Sequence, residues 1–381
     1  MLPLEGVTVV SLEQAVAAPF ATRQLADLGA RVIKVERPGG DFARGYDTTV
    51  NGMSSHFVWI NRSKESIVLD LKEPDDRRAM DKLLAKADVF VQNLAPGAAA
   101  RLGLSAEELR ARDPRLIVCD LSGYGSTGPY RDKRAYDLLV QCETGLVSIT
   151  GSPGEPAKTG VSTADIAGGM YAFSGVLTAL YERERTGAGT AFEVSLFEAL
   201  GEWMGFPHYF TAYGGTPPKR SGARHAAIAP YGPFEAGDGQ QVFLGVQNER
   251  EWVKFCAQVL RRAELAEDPR FAGNPERVAN LAELEAAIGE VFAGLTGAEV
   301  ERRLEGAGIA NARMRTVGEF AEHPQLAARD RWREVDTPVG GVDALLPPVT
   351  VPGREPRMDP VPEIGQHTAK ILDELGEEPR G

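Results

Sequence analysis

Residues 7–36 read VTVVSLEQAVAAPFATRQLADLGARVIKVE, and this stretch decides the fold. Val7–Leu12 is a short β-branched run, the composition of a buried strand. The turn Gln14-Ala15-Val16-Ala17-Ala18 follows, and Pro19 opens a helix at a place that favours proline. Phe20, Leu25 and Leu28 give that helix an apolar side, Gly29 ends it, and Arg31–Glu36 returns as a second strand. The pattern continues with strands at Ser66–Leu71, Asp88–Gln92 and Leu116–Leu121 and a helix at Pro74–Ala85. Ser105 and Glu108 form a capping box that starts one more helix. Strands alternating with helices at this spacing predict an α/β fold with a parallel sheet covered on both faces.

Downstream, Ile166–Arg185 is the clearest helix. Ile166, Met170, Phe173, Leu177 and Leu180 recur at helical steps and predict one buried stripe, with Gly187 as the stop. Phe192–Val194 and Ser195–Trp203 add a strand and a helix. Around 211–223 the Gly/Pro texture reads as a linker. A second region then has a strand at Gln241–Val246 and helices at 248–260, 281–295 and 298–307, before a Pro/Gly-rich arm and a short terminal helix at Thr368–Leu375. The expected domains are 1–210 (large), 211–325 (small, with its linker) and 326–381 (an arm returning to the large domain).

Composition narrows the function. Of 381 residues 43% are hydrophobic and 25% charged, ordinary for a globular protein of one or two domains. A net charge of −12 argues against non-specific nucleic-acid binding, yet leaves room for a locally basic pocket holding a phosphorylated ligand. No apolar run reaches membrane-spanning length and the first residues do not resemble a signal peptide. Three scattered cysteines favour a reducing compartment, so the expected location is the cytoplasm, with no membrane partner. Glu36 stands where dinucleotide enzymes place a ribose-binding acid, but the preceding turn lacks Gly-x-Gly-x-x-Gly. Five scattered histidines give no metal-ligand spacing, and no Gly-x-Ser-x-Gly elbow is present.

Asp165 opens the strongest helix. By position alone it is a helix cap, since an aspartate oxygen accepts orphan backbone N–H groups. Ser162 and Thr163 can cap equally well, however, and Gly168-Gly169 cost about 1 kcal/mol each against alanine unless something packs on the backbone there. The helix N-terminus is expected to keep the Asp165 carboxylate ionised, and so a ready nucleophile. Arg37, Lys72, Asn93 and Arg101 fall near strand ends, where an open parallel sheet binds its ligand, and can hold a polyphosphate.

Several blocks carry a resemblance. They are Glu-Arg-Pro-Gly-Gly-Asp (36–41), Asn61-Arg62-Ser63-Lys64 with Ser66-Ile67 and Leu69-Asp70, and Val91-Gln92-Asn93 with Pro96-Gly97. Arg101-Leu102-Gly103-Leu104, Ser122-Gly123-Tyr124-Gly125, Tyr136-Asp137 and Gly365-Gln366-His367-Thr368 continue the series. Together, and in this order, they resemble the family III CoA-transferases along the whole chain. The resemblance implies a Rossmann-like large domain, a smaller α+β domain and an interlocked-ring homodimer. It implies that Asp165 attacks an acyl-CoA, takes CoA over as an aspartyl thioester and passes it to an acceptor acid. No tightly bound cofactor is needed: coenzyme A and its acyl esters are substrates, and carboxylic acids are the other partners. Val16, Arg37, Leu69, Lys72, Asn93, Leu94, Arg101, Arg134 and Tyr136 match CoA-contacting positions.

The multi-glycine loop of formyl-CoA transferase is missing; Arg220-Ser221-Gly222-Ala223-Arg224-His225 stands there instead. This stretch is similar to the subgroup acting on C4–C5 dicarboxylates, with succinyl-CoA as donor and malate, citramalate, itaconate or mesaconate as acceptor. Arg220, Arg224 and His225 are the candidate grip for the distal carboxylate. Two alternatives share the fold. Intramolecular CoA migration within mesaconyl-CoA uses the same aspartate; an α-methylacyl-CoA racemase needs a histidine where this chain has Tyr136.

Overall fold

The computed structural model describes residues 1–377, which divide into two compact units. The first comprises residues 1–145, 159–205 and the chain from 329 on. The second comprises 146–158 and 206–328, so a short segment preceding Asp165 belongs with the later residues.

The first unit is built on six parallel strands: β1 (Thr8–Leu12), β2 (Arg31–Glu36), β3 (Lys64–Val68), β4 (Val89–Gln92), β5 (Ile117–Ser122) and β6 (Ala191–Ser195). They lie in the order β3-β2-β1-β4-β5-β6, with Val10 between Ile33 and Phe90. Strand order therefore reverses between β1 and β4, which opens a crevice at their carboxyl ends. The helices used below are α1 (Ala17–Asp27), α2 (Pro74–Leu84), α3 (Ala106–Arg112), α4 (Asp137–Glu143), α5 (Thr163–Thr186) and α6 (Leu196–Trp203). Val10, Ile33, Ile67, Phe90 and Val118 form one apolar sheet face, covered by α2, α3 and a helix at Thr368–Glu374 that contributes Ile371 and Leu372. The other face carries α1 and α5.

The face of α5 corrects the expected stripe. Its buried residues are Ala164, Ala167, Gly168, Gly169, Ala172, Val176, Ala179, Leu180 and Arg183. Of the predicted stripe only Leu180 is buried; Ile166, Phe173 and Leu177 are half-buried and Met170 is exposed. Close approach is the reason. A Cβ on Gly168 would stand 2.5 Å from Leu196 Cδ2 of α6, and one on Gly169 would stand 2.6 Å from the Ala17 carbonyl oxygen of α1. The small residues are the packed face, and the glycine pair lets two neighbouring helices close on α5.

Other boundaries shift modestly. β3 begins two residues before the expected strand because Lys64 pairs with Val32. The helix after Asn248 is α-helical only to Lys254 and continues as a π-turn over Phe255–Leu260. Gly205–Gly214 is helical, so irregular chain starts later than expected. The second unit has a three-stranded antiparallel sheet of Tyr231–Glu235, Gln241–Gly245 and Ala310–Arg313. Trp252, Phe255, Phe271, Ile288 and Phe292 fill its core. No helix among the described residues is long and apolar enough to cross a membrane.

Candidate active site

Two loops are stitched together at the strand-order reversal. Gln14 N donates to Asn93 Oδ1 at 2.9 Å, and Asn93 Nδ2 donates back to the Gln14 carbonyl at 2.9 Å. Beside this stitch runs a groove of about 200 Å³ lined by Gln14, Arg37, Leu69, Lys72, Leu94 and Leu102. Arg37 and Lys72 are exposed there, and among the described residues neither is in an ion pair. Glu36 and Asp41 also border the groove, and their charges are matched by Arg44 and Lys34. Burial works against the Glu36 charge, but Arg44 and Lys34 bring its pKa down to about 2.

The nine expected CoA contacts thus separate. Arg37, Leu69, Lys72 and Leu94 line one groove. Asn93 commits its amide to Gln14, and Val16 is buried, its carbonyl accepting from Phe20 N at the start of α1. Arg101, Arg134 and Tyr136 are exposed. Arg62 and Lys64 are not groove residues at all: Arg62 forks onto Asp27 and Lys64 is buried against Glu13.

Asp165 sits in the first turn of α5, half-buried, and no described residue donates a hydrogen bond to its carboxylate. Neither Ser162 nor Asp165 caps the helix. Asp137 of α4 does, its Oδ1 accepting from Ala164 N at 2.8 Å and Asp165 N at 3.3 Å. Gln141, fully buried, fixes Asp137 by donating to Oδ2 at 2.7 Å and holds Thr159 N with its own oxygen. The favourable end of α5 is therefore spent on Asp137. Burial, and then the nearby Asp137 charge, push Asp165 up to about 7. The expected fully ionised carboxylate is corrected: near neutral pH Asp165 is split between its two forms.

Tyr46 is a residue that sequence reasoning missed. It follows the 3₁₀ turn Phe42–Gly45 and lies edge-on to His56, ring centres 5.4 Å apart. Burial, then the charges of Asp41 and Asp165 and the nearby Tyr136, raise its hydroxyl to about 12, so it stays a hydrogen-bond donor. The signal was its place five residues after the Glu-Arg-Pro-Gly-Gly-Asp block.

In the second unit, Arg220 donates to the carbonyls of Ser148 (2.8 Å) and Ser152 (3.2 Å). Arg224 pairs with Glu285, and His225 stacks on Tyr231 at 5.3 Å. The cavity bordered by Arg224, His225 and Tyr231 holds only about 30 Å³, too little for a dicarboxylate.

The family model for CoA-transferase family III matches residues 4–368. An acetyl-CoA:oxalate CoA-transferase of Acetobacter aceti is 38% identical over 98% of this chain and 94% of its own. A succinate–glutarate CoA-transferase of Agrobacterium fabrum is 34% identical over 98% of this chain and 96% of its own. A CAIB/BAIF family protein from Brucella suis, 34% identical, has a structure that superposes with a TM-score of 0.84, covering 98% of this chain and 99% of that one.

Proposed function

The chain belongs to CoA-transferase family III, and from that premise we propose that it moves CoA from succinyl-CoA to a C4–C5 dicarboxylic acid through a thioester on Asp165. The observation that carries this reading is the Asp165 carboxylate itself, half-buried, without a donor among the described residues and relieved of capping by Asp137. An anion so poorly satisfied is a stronger nucleophile than a solvated one. It attacks the thioester carbonyl and expels CoA thiolate, giving a mixed anhydride. The thiolate then attacks the aspartyl carbonyl, forming the aspartyl-CoA thioester and releasing succinate. An acceptor carboxylate attacks that thioester, and the expelled thiolate takes the acceptor's acyl carbon from the second anhydride, freeing Asp165. Each addition develops an oxyanion, and the Tyr46 hydroxyl is the proposed donor for it.

CoA is proposed to lie along the Arg37/Lys72 groove, with the exposed Arg101, Arg134 and Tyr136 as further contacts. The acids named for the two relatives, oxalate and glutarate, are both dicarboxylic, which supports a two-carboxylate acceptor. Of the three candidate carboxylate grips we favour Arg220. Its partners among the described residues are neutral carbonyls, whereas the Arg224 charge is already met by Glu285. A homodimer is part of the proposal. Edge strand β6 borders an open cavity of about 680 Å³ with Tyr171, Thr178 and Phe192, and Tyr181 and Trp203 are exposed nearby in sequence.

The test is to incubate the protein with succinyl-CoA, add hydroxylamine and map the modified residue by mass spectrometry. A hydroxamate at Asp165 is expected; modification elsewhere, or none with turnover intact, overturns the reading.

A further inference from the structure

The Glu-Arg-Pro-Gly-Gly-Asp block ends at Asp41, which is 5% exposed and held through its carboxylate and its own N–H. Its Oδ1 accepts from Ala43 N at 2.9 Å and from Ala15 N at 3.2 Å. Its Oδ2 faces Lys34 Nζ at 2.9 Å, and its own N–H donates to Glu36 Oε1 at 2.9 Å. Lys34 is fully buried and also meets Glu13, which in turn holds Lys64 at 2.7 Å. Burial works against the Lys34 charge, but Glu13 and Asp41 outweigh it and raise its pKa, so the Asp41 partner stays charged.

Two features make this more than a buried ion cluster. Ala15 has φ +61°, a conformation that a residue with a Cβ resists, so its turn needs an external hold. That turn carries Gln14 into the groove wall, while the Ala43 amide belongs to the 3₁₀ turn that delivers Tyr46. One carboxylate oxygen thus joins the CoA groove to the donor near Asp165. We propose that Asp41 is a positioning residue for CoA transfer, fixing the Gln14–Val16 turn and the Phe42–Tyr46 turn in one register. This rests on the reading of Asp165 and the groove given above.

Asp41→Ala, which removes the oxygen shared by the Ala15 and Ala43 amides, tests it, with Asp41→Glu as a second variant that keeps the charge toward Lys34 and cannot serve both amides. Calorimetry with CoA and steady-state turnover of succinyl-CoA are the readouts. The expected result is about a tenfold weaker CoA dissociation constant together with about a tenfold lower kcat. Adding Ala15→Gly, which makes φ +61° comfortable, is expected to return most of the CoA affinity and none of the kcat. A general loosening of the fold gives no such split. Folded variants with wild-type affinity and kcat overturn the proposal, as does Ala15→Gly restoring both parameters together or neither. Failure of the Asp165 reading is seen separately, as Asp165→Asn with undiminished turnover, and leaves the CoA-affinity comparison standing.

Discussion

Two groups of acids in the first unit have opposite fates. Glu13, Glu36 and Asp41 are almost completely buried, and the pKa values of Glu13 and Glu36 are held down; Asp165 is less buried, yet it is pushed up to about 7. Company makes the difference. Glu13 has Lys64 and Lys34, Asp41 has Lys34, and Glu36 has Arg44 and the Ser66 hydroxyl. Asp165 has no cation and no donor among the described residues, and the charge that acts on it is another carboxylate. Burial alone does not decide a carboxylate's charge; the partners buried with it do. The matched group is scaffold, and the unmatched one is the carboxylate proposed to carry CoA.

Removing the unmatched carboxylate gives the largest expected effect. Asp165→Asn should lower transfer by at least about 1,000-fold, because the proposed mechanism forms the thioester on this carboxylate. Its stability should move the other way. The folded pKa of Asp165 lies above the unfolded value of about 3.9, so its contribution is full below that value and lost as pH rises through 7. The amide of the Asp165→Asn variant cannot ionise, so the variant should melt higher than wild type at about pH 8, with the gain shrinking toward about pH 4. Calorimetric scans across that range check the sign.

Breaking the matched group costs stability instead. Lys34→Met leaves Asp41 and Glu13 each short of a buried cation and should destabilise by about 3–5 kcal/mol in denaturant melts. A loss below about 1 kcal/mol would mean that the cluster is not scaffold. Gly169→Ala falls next. Its Cβ meets the Ala17 carbonyl, a backbone atom that cannot swing aside, and overpacking of this kind costs about 1–3 kcal/mol. The strain lies one turn from Asp165, so kcat should fall with it.

Legibility in the sequence follows the same division. Strands β1, β2, β4 and β5 could be read to within a residue because β-branched runs between turn residues are local signals. The buried face of α5 could not. Large apolar residues suggested a core stripe, but helix contact at this distance selects glycine and alanine, and periodicity does not report distance. Asp165 was legible as an exception among caps, and the glycine pair did mark a close approach. Its true capping partner was not legible, since Asp137 lies 28 residues away and only the fold brings it to the amides. Tyr46 was nearly hidden for the same reason: its place five residues after the Glu-Arg-Pro-Gly-Gly-Asp block is a faint local sign, and its electrostatic link to Asp165 comes from the fold.

The finest contrast between the two groups is the charge on Asp137, and it predicts the smallest effect. In the proposed mechanism only the ionised Asp165 attacks, so kcat/KM should rise with pH through about 7 and then level off. Asp137→Asn keeps an oxygen to accept from Ala164 and Asp165 while removing the negative charge. Burial, the larger cause of the raised pKa, is left in place. The midpoint of the pH profile should therefore move down by about one unit or less and stay well above an ordinary aspartate's value of about 3.9. A collapse to that value would show that Asp137 repulsion, not burial, keeps Asp165 protonated. An unmoved midpoint would show that the two carboxylates do not feel each other, and the contrast with the matched cluster would then rest on desolvation alone.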